Sequence, residues 1–540
     1  MKKLIWLFLA FITPLLAQER ITLDYLKSQP AGITRDFYIW VFLQQDKIAP
    51  KEASEAYKLA HRKNPQLFGA YYKKGDNKTL SRKTICQRME VSQLIKQEPS
   101  CIANALTLKK ADSLDKKTLA NLAKKVQKDN PTLSQYLNIM ASPNPFNQLT
   151  KGSAQTFGRF YFQSSYGYRV KFLNHKLSKE TLKKYLQQNN ETFKKMLRHM
   201  ILTPELKILQ ASLLEIPPQE ILNHLDSEAA FYMGLNAVTH KKNAIAESYF
   251  EYSTKHAKYA FNKNRGLFWS YLVTKDKKFL DTLVLSKNVD IYTLAALEMT
   301  NKAPQYQIAR EVPVQKSAAN WNVYDPFAWE RIKNSFKGSK NPEQILSQVR
   351  HSNTSPHFVW LNKQKGVEYF LTPYREAFGK FEPKKQILLY SLGRQESLFI
   401  PTAISTSYAL GLMQLMPFNV KAVAKELEGK ENVNYFDMFN PNINVPYAEY
   451  FTRPIIKEFK HPLFVSYAYN GGQGFLRRAL EKNHLFRKDN PLDPWYSMEM
   501  IPYEESRVYG KKVLANYVIY SQSFNQEVKL LDLLKETLIH

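Results

Sequence analysis

Apolar residues recur at spacings of three and four through residues 20–300, which is the spacing of one face of an α-helix. Residues 228–261 show the pattern clearly, because small and aromatic side chains form two short helical stretches around a polar turn at Lys241 to Asn243. Pairs of helices in succession indicate an α-solenoid, although no strict repeat length can be aligned. We therefore predict a helical array over residues 18–303, in which most aromatic side chains belong to the core.

The regular pattern loosens where prolines cluster, and it sharpens again near Pro373. This change marks the best candidate boundary in the chain. We predict a small helical linker domain over residues 304–370 and a C-terminal domain over residues 371–540. The clustered prolines are Pro304, Pro313, Pro326 and Pro342.

Composition supports a folded protein of several domains. The chain has 540 residues, of which 44% are hydrophobic and 23% are charged, with glycine and proline dispersed along it. These values exclude low-complexity and fibrous material, and the length exceeds that of one ordinary core.

The first residues predict export. Lys2 and Lys3 precede an apolar run that ends at the small residue Ala17, as in a secretory signal peptide. We predict a signal over residues 1–17 and a periplasmic location, with a retained N-terminal membrane anchor as the alternative. No other stretch is long and apolar enough to be predicted as a membrane span.

The formal net charge of +29 predicts an anionic partner or surface. Nucleic acid is the usual partner of a basic chain, but an exported protein meets lipid head groups and cell-wall carboxylates instead. The alternative is a well-solvated surface whose lysines point outward from helices.

The two cysteines of the chain, Cys86 and Cys101, lie close together in the sequence. In an oxidising compartment they can form a disulfide, and two unpaired buried thiols are the alternative. No histidine-rich cluster lies near either cysteine, so we predict neither a metal site nor a cofactor.

One carboxylate occupies an unusual place. A helix is predicted from Pro383 to about Ser397, and the residues four and eight before Glu396 are Leu392 and Leu388. Glu396 therefore lies on the apolar face, where desolvation raises the pKa of a carboxyl group and allows it to donate a proton near neutral pH. The alternative is a side chain that reaches water at a frayed helix end.

Three further segments carry polar groups at chain bends. Gln414 is the last residue of the segment Gly411-Leu412-Met413-Gln414, which precedes Met416-Pro417. Tyr469 and Asn470 end a helix in a glycine turn, and Glu505 follows Ile501-Pro502-Tyr503 at the start of the last long helix. The glycine turn is a weak phosphate motif, because no strand precedes it and no Gly-Lys-Ser/Thr follows.

In order and spacing these motifs resemble those of the soluble lytic transglycosylases of bacterial cell walls. The resemblance covers roughly residues 370–525, and the helical region before it is similar on weaker grounds. It implies a mainly α fold, in which a superhelical ring and a linker domain precede a lysozyme-like α+β catalytic domain. It also implies cleavage of the β-1,4 bond between N-acetylmuramic acid and N-acetylglucosamine in peptidoglycan, with proteins of cell-wall synthesis or remodelling as further partners.

The resemblance also implies residue roles. Glu396 would protonate the glycosidic oxygen and then activate the 6-hydroxyl of the sugar, which closes a 1,6-anhydro ring without water. Tethering of that hydroxyl can replace a second catalytic carboxylate. The alternative to substrate binding is ordinary core packing for Met416 and an ion pair with Arg507 for Glu505. The residues expected to bind substrate are Ser397, Gln414, Met416, Tyr469, Asn470 and Glu505.

Two other functions are weighed against this one. A lysozyme-type hydrolase would need water and a second carboxylate, for which Glu505 and Glu499 are the nearby candidates. A non-catalytic wall-binding scaffold is disfavoured by the presence of Glu396. The chain also departs from the family pattern at Tyr408, where glycine is common, and in the Gly-Gly that follows Asn470.

Overall fold

The computed structural model describes residues 20–74, 82–362, 367–482 and 485–539. The signal segment predicted at residues 1–17 lies outside these ranges. The chain divides into two compact units, and the first comprises the described parts of residues 1–77, 314–361 and 399–450. The second comprises the described parts of residues 78–313, 362–398 and 451–540. The predicted domain boundaries at residues 303 and 370 stay predictions.

The N-terminal segment of the first unit is helical. Helices α3 and α4 both begin at a proline, which the first helical turn tolerates because its backbone nitrogen needs no partner there. Helix α2 is buried over nearly its whole length. The helices are α1 (Leu23–Ser28), α2 (Ile33–Phe42), α3 (Pro50–Leu59) and α4 (Pro65–Lys74).

A run of helices follows in the second unit, and successive members pack on each other in the order α17, α18, α19. This arrangement agrees with the array predicted from the three- and four-residue spacing. The helices are α5 (Arg82–Arg88), α6 (Val91–Leu94), α7 (Pro99–Ala105), α8 (Leu108–Ala111), α9 (Lys116–Val126), α10 (Pro131–Ala141), α11 (Pro145–Thr150), α12 (Ala154–Gln163), α13 (Tyr166–Tyr168), α14 (Lys179–Gln187), α15 (Glu191–Ile201), α16 (Lys207–Ser212), α17 (Ser227–Thr239), α18 (Asn243–Lys255), α19 (Ala260–Thr274), α20 (Lys278–Leu283) and α21 (Ile291–Thr300).

A disulfide joins the first helices of this run. Cys86 on α5 and Cys101 on α7 are bonded, with their Cα atoms 5.5 Å apart. Closing a loop of this length stabilises a fold by about 3 kcal/mol through the entropy of the unfolded chain.

The described part of residues 301–398 contains two short strands and five helices. Strands β1 and β2 pair in parallel, with Gln307 opposite Val367. The elements are β1 (Gln307–Ala309), α22 (Pro326–Gly338), α23 (Pro342–Ser347), α24 (Ser355–Leu361), β2 (Val367–Tyr369), α25 (Arg375–Phe378) and α26 (Pro383–Ser397).

The last part of the second unit is built around one long helix, α32, which packs against α26 and α29. Gly510 makes the second contact close, because a Cβ atom there would lie 2.2 Å from the ring of Tyr467. The helices that follow α26 in the chain are α27 (Pro417–Glu428), α28 (Pro441–Phe459), α29 (Pro462–Gly471), α30 (Gln473–Lys482), α31 (Trp495–Met500), α32 (Glu504–Ser523) and α33 (Leu530–Lys535), and of these α27 lies in the first unit.

The prediction of a mainly α-helical chain is confirmed, since the named strands within the described ranges have three residues each. Across those same ranges, no helix is both long enough and apolar enough to cross a bilayer.

Tyr408, the departure from the family glycine, lies within the first unit. Its φ of 62° is in the left-handed region that favours glycine. The buried ring packs against Phe37 and Trp40 of α2 at centroid distances of 5.8 Å each, and the hydroxyl donates to the Asp36 carbonyl at 3.3 Å. Packing against α2 therefore holds the strained backbone in place.

We expect Tyr408→Ala to lower the free energy of unfolding by about 3–5 kcal/mol, because it removes a buried ring without relieving the positive φ. Tyr408→Phe keeps the ring and should lower it by about 1 kcal/mol. Chemical denaturation followed by tryptophan fluorescence measures both values. Equal effects of the two substitutions would contradict the packing role of the ring.

Candidate active site

Glu396 lies in the last turn of α26. The helix begins with Pro383, and the Glu382 carboxylate before it accepts hydrogen bonds from the backbone of its first turn. It ends because Leu398 adopts a left-handed φ of 52°. Leu388 and Leu392 are buried, and Glu396 on the same face is half-buried.

Arg394 fixes this end of α26. Its Nε donates to the Tyr369 carbonyl at 3.0 Å, and its Nη2 forms an ion pair with Glu368 at 2.9 Å. Its Nη1 donates to the Asn516 side chain on α32 at 2.9 Å. The turn that carries Glu396 is therefore attached both to β2 and to α32.

The Glu396 carboxylate faces a phenol from α32. The Tyr509 hydroxyl donates to its Oε1 at 2.6 Å. Burial raises the pKa of Glu396 to about 7, the Tyr509 hydrogen bond lowers it and the Glu505 charge raises it. Because this pKa lies near neutrality, the group can both give and take a proton under physiological conditions.

Three of the predicted site residues lie on helices that pack around Glu396. Tyr469 on α29 is half-buried, and both its desolvation and the charge of Glu396 raise its pKa. The Asn470 amide donates to Glu505 at 3.5 Å and accepts from the Ser506 hydroxyl at 2.7 Å. Glu396, Tyr469, Asn470 and Glu505 are thus brought together by α26, α29 and α32.

Glu505 does not form an ion pair with Arg507, which was the alternative to a role in substrate binding. Glu505 is exposed, whereas Arg507 is buried and donates to the Ile501 carbonyl. The exposed carboxylate is available to a ligand.

The remaining predicted residues are placed as follows. Ser397 is half-buried at the last position of α26. Gln414 and Met416 belong to the first unit, where the Gln414 amide donates to the carbonyls of Ala403 at 3.0 Å and Gly411 at 2.8 Å. Met416 is half-buried immediately before α27. Substrate binding by Ser397, Gln414 and Met416 stays a prediction.

Tyr509 is the site residue that the sequence reasoning missed. It follows Glu505 by four positions on α32, so both side chains lie on one face of that helix. That spacing was the available signal, but nothing local to α32 indicated that the face meets α26.

Glu499 is unsuited to be a second catalytic carboxylate. It is fully buried on α31, where Lys511 forms an ion pair with it at 2.8 Å and the Tyr292 hydroxyl donates to it. Burial alone would raise the pKa of Glu499, but the charges of Lys511 and Arg265 more than offset this and lower it. The group stays ionised and satisfied within the protein.

Part of the chain that carries this site, including Glu396, matches a known family. Residues 376–491 match the family model of the Transglycosylase SLT domain. The soluble lytic murein transglycosylase of Salmonella typhimurium is 27% identical over 224 residues, which cover 39% of this chain and 34% of the relative. That of Escherichia coli K12 is 28% identical over 157 residues, which cover 28% of this chain and 24% of the relative. The chain thus spans about a third or less of these relatives.

Two solved structures are similar to the chain. An inactive mutant of lytic transglycosylase Slt from Pseudomonas aeruginosa has a TM-score of 0.47 and 13% identity, covering 92% of this chain and 83% of its own. The 70-kDa soluble lytic transglycosylase of Escherichia coli has a TM-score of 0.42 and 15% identity, covering 94% and 91%. The match of residues 376–491 to the SLT domain agrees with the resemblance to the soluble lytic transglycosylases.

Removing the Tyr509 hydroxyl should raise the pKa of Glu396 by about 1, because the ionised carboxylate loses its donor. Glu505→Gln should lower this pKa, because it removes a like charge. Infrared titration of the carboxyl band that disappears in Glu396→Gln measures both shifts. Tyr517→Phe, also on α32, is the matched control, and shifts of the same sign in Tyr509→Phe and Glu505→Gln would contradict the assigned geometry.

Glu499→Gln should lower the free energy of unfolding by about 3–5 kcal/mol, because it leaves the buried Lys511 ammonium uncompensated. The exposed Glu504→Gln serves as the control on α32. In a denaturation double-mutant cycle, adding Lys511→Met to Glu499→Gln should recover part of the loss. Additive losses would show that the pair is not coupled.

Proposed function

We propose that this protein is a lytic transglycosylase, which cleaves the β-1,4 bond between N-acetylmuramic acid and N-acetylglucosamine in peptidoglycan and leaves a 1,6-anhydro end. The observation that carries the proposal is the Glu396 carboxyl. It has a pKa of about 7, accepts a hydrogen bond from a phenol and lies within the region that matches the SLT domain. The curated relatives named as murein transglycosylases support the same reaction.

In the first step, protonated Glu396 donates its proton to the glycosidic oxygen as the bond from that oxygen to the muramic C1 breaks. The substrate's own N-acetyl oxygen stabilises the positive charge at C1. Glu396 is then ionised, and the Tyr509 hydrogen bond stabilises the carboxylate against the burial that favours its neutral form.

In the second step, Glu396 takes the proton of the muramic 6-hydroxyl, and the oxygen of that hydroxyl forms the new bond to C1. The acid is regenerated and no water is consumed. The attacking hydroxyl is tethered to the reacting carbon, so proximity replaces a second carboxylate. One acid/base group is therefore sufficient, and Glu499 is not needed.

The other predicted residues would hold the glycan. The phenol of Tyr469 would contact the sugar that develops the charge, since it lies close enough for Glu396 to influence its pKa. Asn470 and Glu505, which are joined by a hydrogen bond, would bind polar groups of sugar or peptide. Ser397 would bind the saccharide next to Glu396, and saccharide binding by Gln414 and Met416 stays a prediction.

Export through residues 1–17 would bring the protein to the periplasm, where its substrate lies. The net charge of +29 would favour contact with the anionic cell wall.

Mass spectrometry of products released from purified sacculi tests the reaction. The wild-type protein should release muropeptides one water lighter than hydrolysed ones, and Glu396→Gln should release none, because the amide cannot donate the proton. The exposed Glu426→Gln on α27 is the control and should retain activity. Products with a reducing end would identify a hydrolase instead, and full activity of Glu396→Gln would overturn the mechanism.

A further inference from the structure

Helix α32 has two faces with different partners. Residues four apart on a helix share a face, whereas residues two apart point in nearly opposite directions. Glu505 and Tyr509 share the face toward Glu396, since the phenol donates to that carboxylate and the Glu505 charge acts on it. Arg507 and Lys511 share the other face, where both are buried against α17 and α21 of the helical array. The array therefore contacts α32 directly behind the phenol that Glu396 uses.

Three buried polar groups form a closed ring on this second face. The Lys511 ammonium donates to the Glu499 carboxylate at 2.8 Å and to the Tyr292 hydroxyl at 3.1 Å. The Tyr292 hydroxyl in turn donates to the other oxygen of Glu499. Tyr292 belongs to α21 and its side chain is fully buried, so the ring joins α31 and α32 to the array inside the protein.

The charge of Lys511 makes this ring demanding in its geometry. Burial, together with the charges of Arg265 and Arg507, lowers the pKa of Lys511 to about 8, although Glu499 opposes the shift. A buried ammonium is costly unless its donors are paired. In the described part of the chain, its two hydrogen-bond acceptors are Glu499 and Tyr292. Pairing with both acceptors therefore restricts the rotation of α32 about its own axis.

The position of the Tyr509 hydroxyl is sensitive to such a rotation. A side-chain atom at the surface of a helix lies about 5 Å from the axis, so a rotation of about 15° moves it by about 1.3 Å. That movement would lengthen the 2.6 Å contact between Tyr509 and Glu396 beyond hydrogen-bond range. Arg394 holds α32 at Asn516, which lies about two turns further along. The first turns of the helix therefore depend on the array.

We propose that Tyr292 is a positioning residue for the acid/base step, which acts from the array through Lys511 and Glu499 to hold the Tyr509 hydroxyl against Glu396. Tyr292 lies behind α32 and acts through that helix. The inference rests on the proposed function only in taking Glu396 as the acid and base.

Infrared titration of the Glu396 carboxyl tests this role without a substrate. Tyr292→Phe should raise the pKa of Glu396 by about 0.5, less than Tyr509→Phe does, because the phenol donor is displaced and not removed. Tyr185→Phe is the matched control in the array and should leave this pKa unchanged. Tyr185 is also fully buried, and its hydroxyl donates to the Thr150 carbonyl at 2.9 Å.

A double-mutant cycle separates positioning from a general loss of stability. In Tyr509→Phe, adding Tyr292→Phe should cause no further shift, because the donor that Tyr292 positions is already absent. All of these variants retain Glu505 and Tyr469, which also face the same carboxyl. Equal shifts in Tyr185→Phe and Tyr292→Phe, an undiminished shift in the absence of the Tyr509 hydroxyl, or no shift at all would each overturn the proposal.

A second variant keeps the test decisive if Tyr292→Phe fails to fold. Glu499→Gln combined with Lys511→Met removes both charges of the ring together, so no buried ion is left without its partner. This variant should raise the pKa of Glu396 by about 0.5 or more, because α32 loses the same attachment to the array. An unchanged pKa in this variant would overturn the proposal.

Kinetics of anhydro-product release from sacculi separate this inference from the proposed function. Tyr292→Phe should lower kcat about three- to tenfold with KM unchanged, whereas Tyr185→Phe should keep the wild-type kcat. Equal kcat values for the wild type and Tyr292→Phe would overturn the role in the acid/base step. A wild-type protein that releases no anhydro products would overturn the transglycosylase, and the titrations would still decide whether Tyr292 positions the Tyr509 hydroxyl.

Discussion

The structure of the candidate site depends on one helix that packs in two directions. One face of α32 presents Tyr509 to the carboxylate on α26, and another presents Lys511 to the buried Glu499. The second contact includes the Tyr292 hydroxyl of α21, so the same network attaches α32 to the helical array. Because a helix is rigid over a few turns, fixing one face sets the direction of the other, and the array takes part in placing the Tyr509 phenol.

Opposing effects on one carboxyl group explain how a single residue can serve as acid and then as base. Burial favours neutral Glu396, whereas the Tyr509 hydroxyl favours the ionised form. Their balance leaves the pKa near 7, where neither form is greatly disfavoured. Arg394 holds the backbone of this turn, so the carboxylate keeps its place while its charge changes.

Much of the site could be read from local sequence. The spacing of Leu388, Leu392 and Glu396 predicted the apolar face of α26, and the ordered motifs predicted Tyr469, Asn470 and Glu505 near it. Local sequence did not exclude Glu499 as a second carboxylate, and it did not indicate Tyr509. Both residues needed knowledge of partners far along the chain, since Tyr509 meets a residue 113 positions away and Glu499 meets one 207 positions away.

The sequence by itself determined the helical character of the chain and the face of the helix on which Glu396 lies, because both follow from spacings of three and four residues. Only the tertiary structure decided which charged groups remain accessible. Glu505 is exposed and Glu499 is buried although both lie near the start of α32, because α31 and α21 pack against one side of that helix. Tertiary contacts also decide the backbone at Tyr408 in the first unit. There, packing against α2 stabilises a positive φ that local preference would assign to glycine.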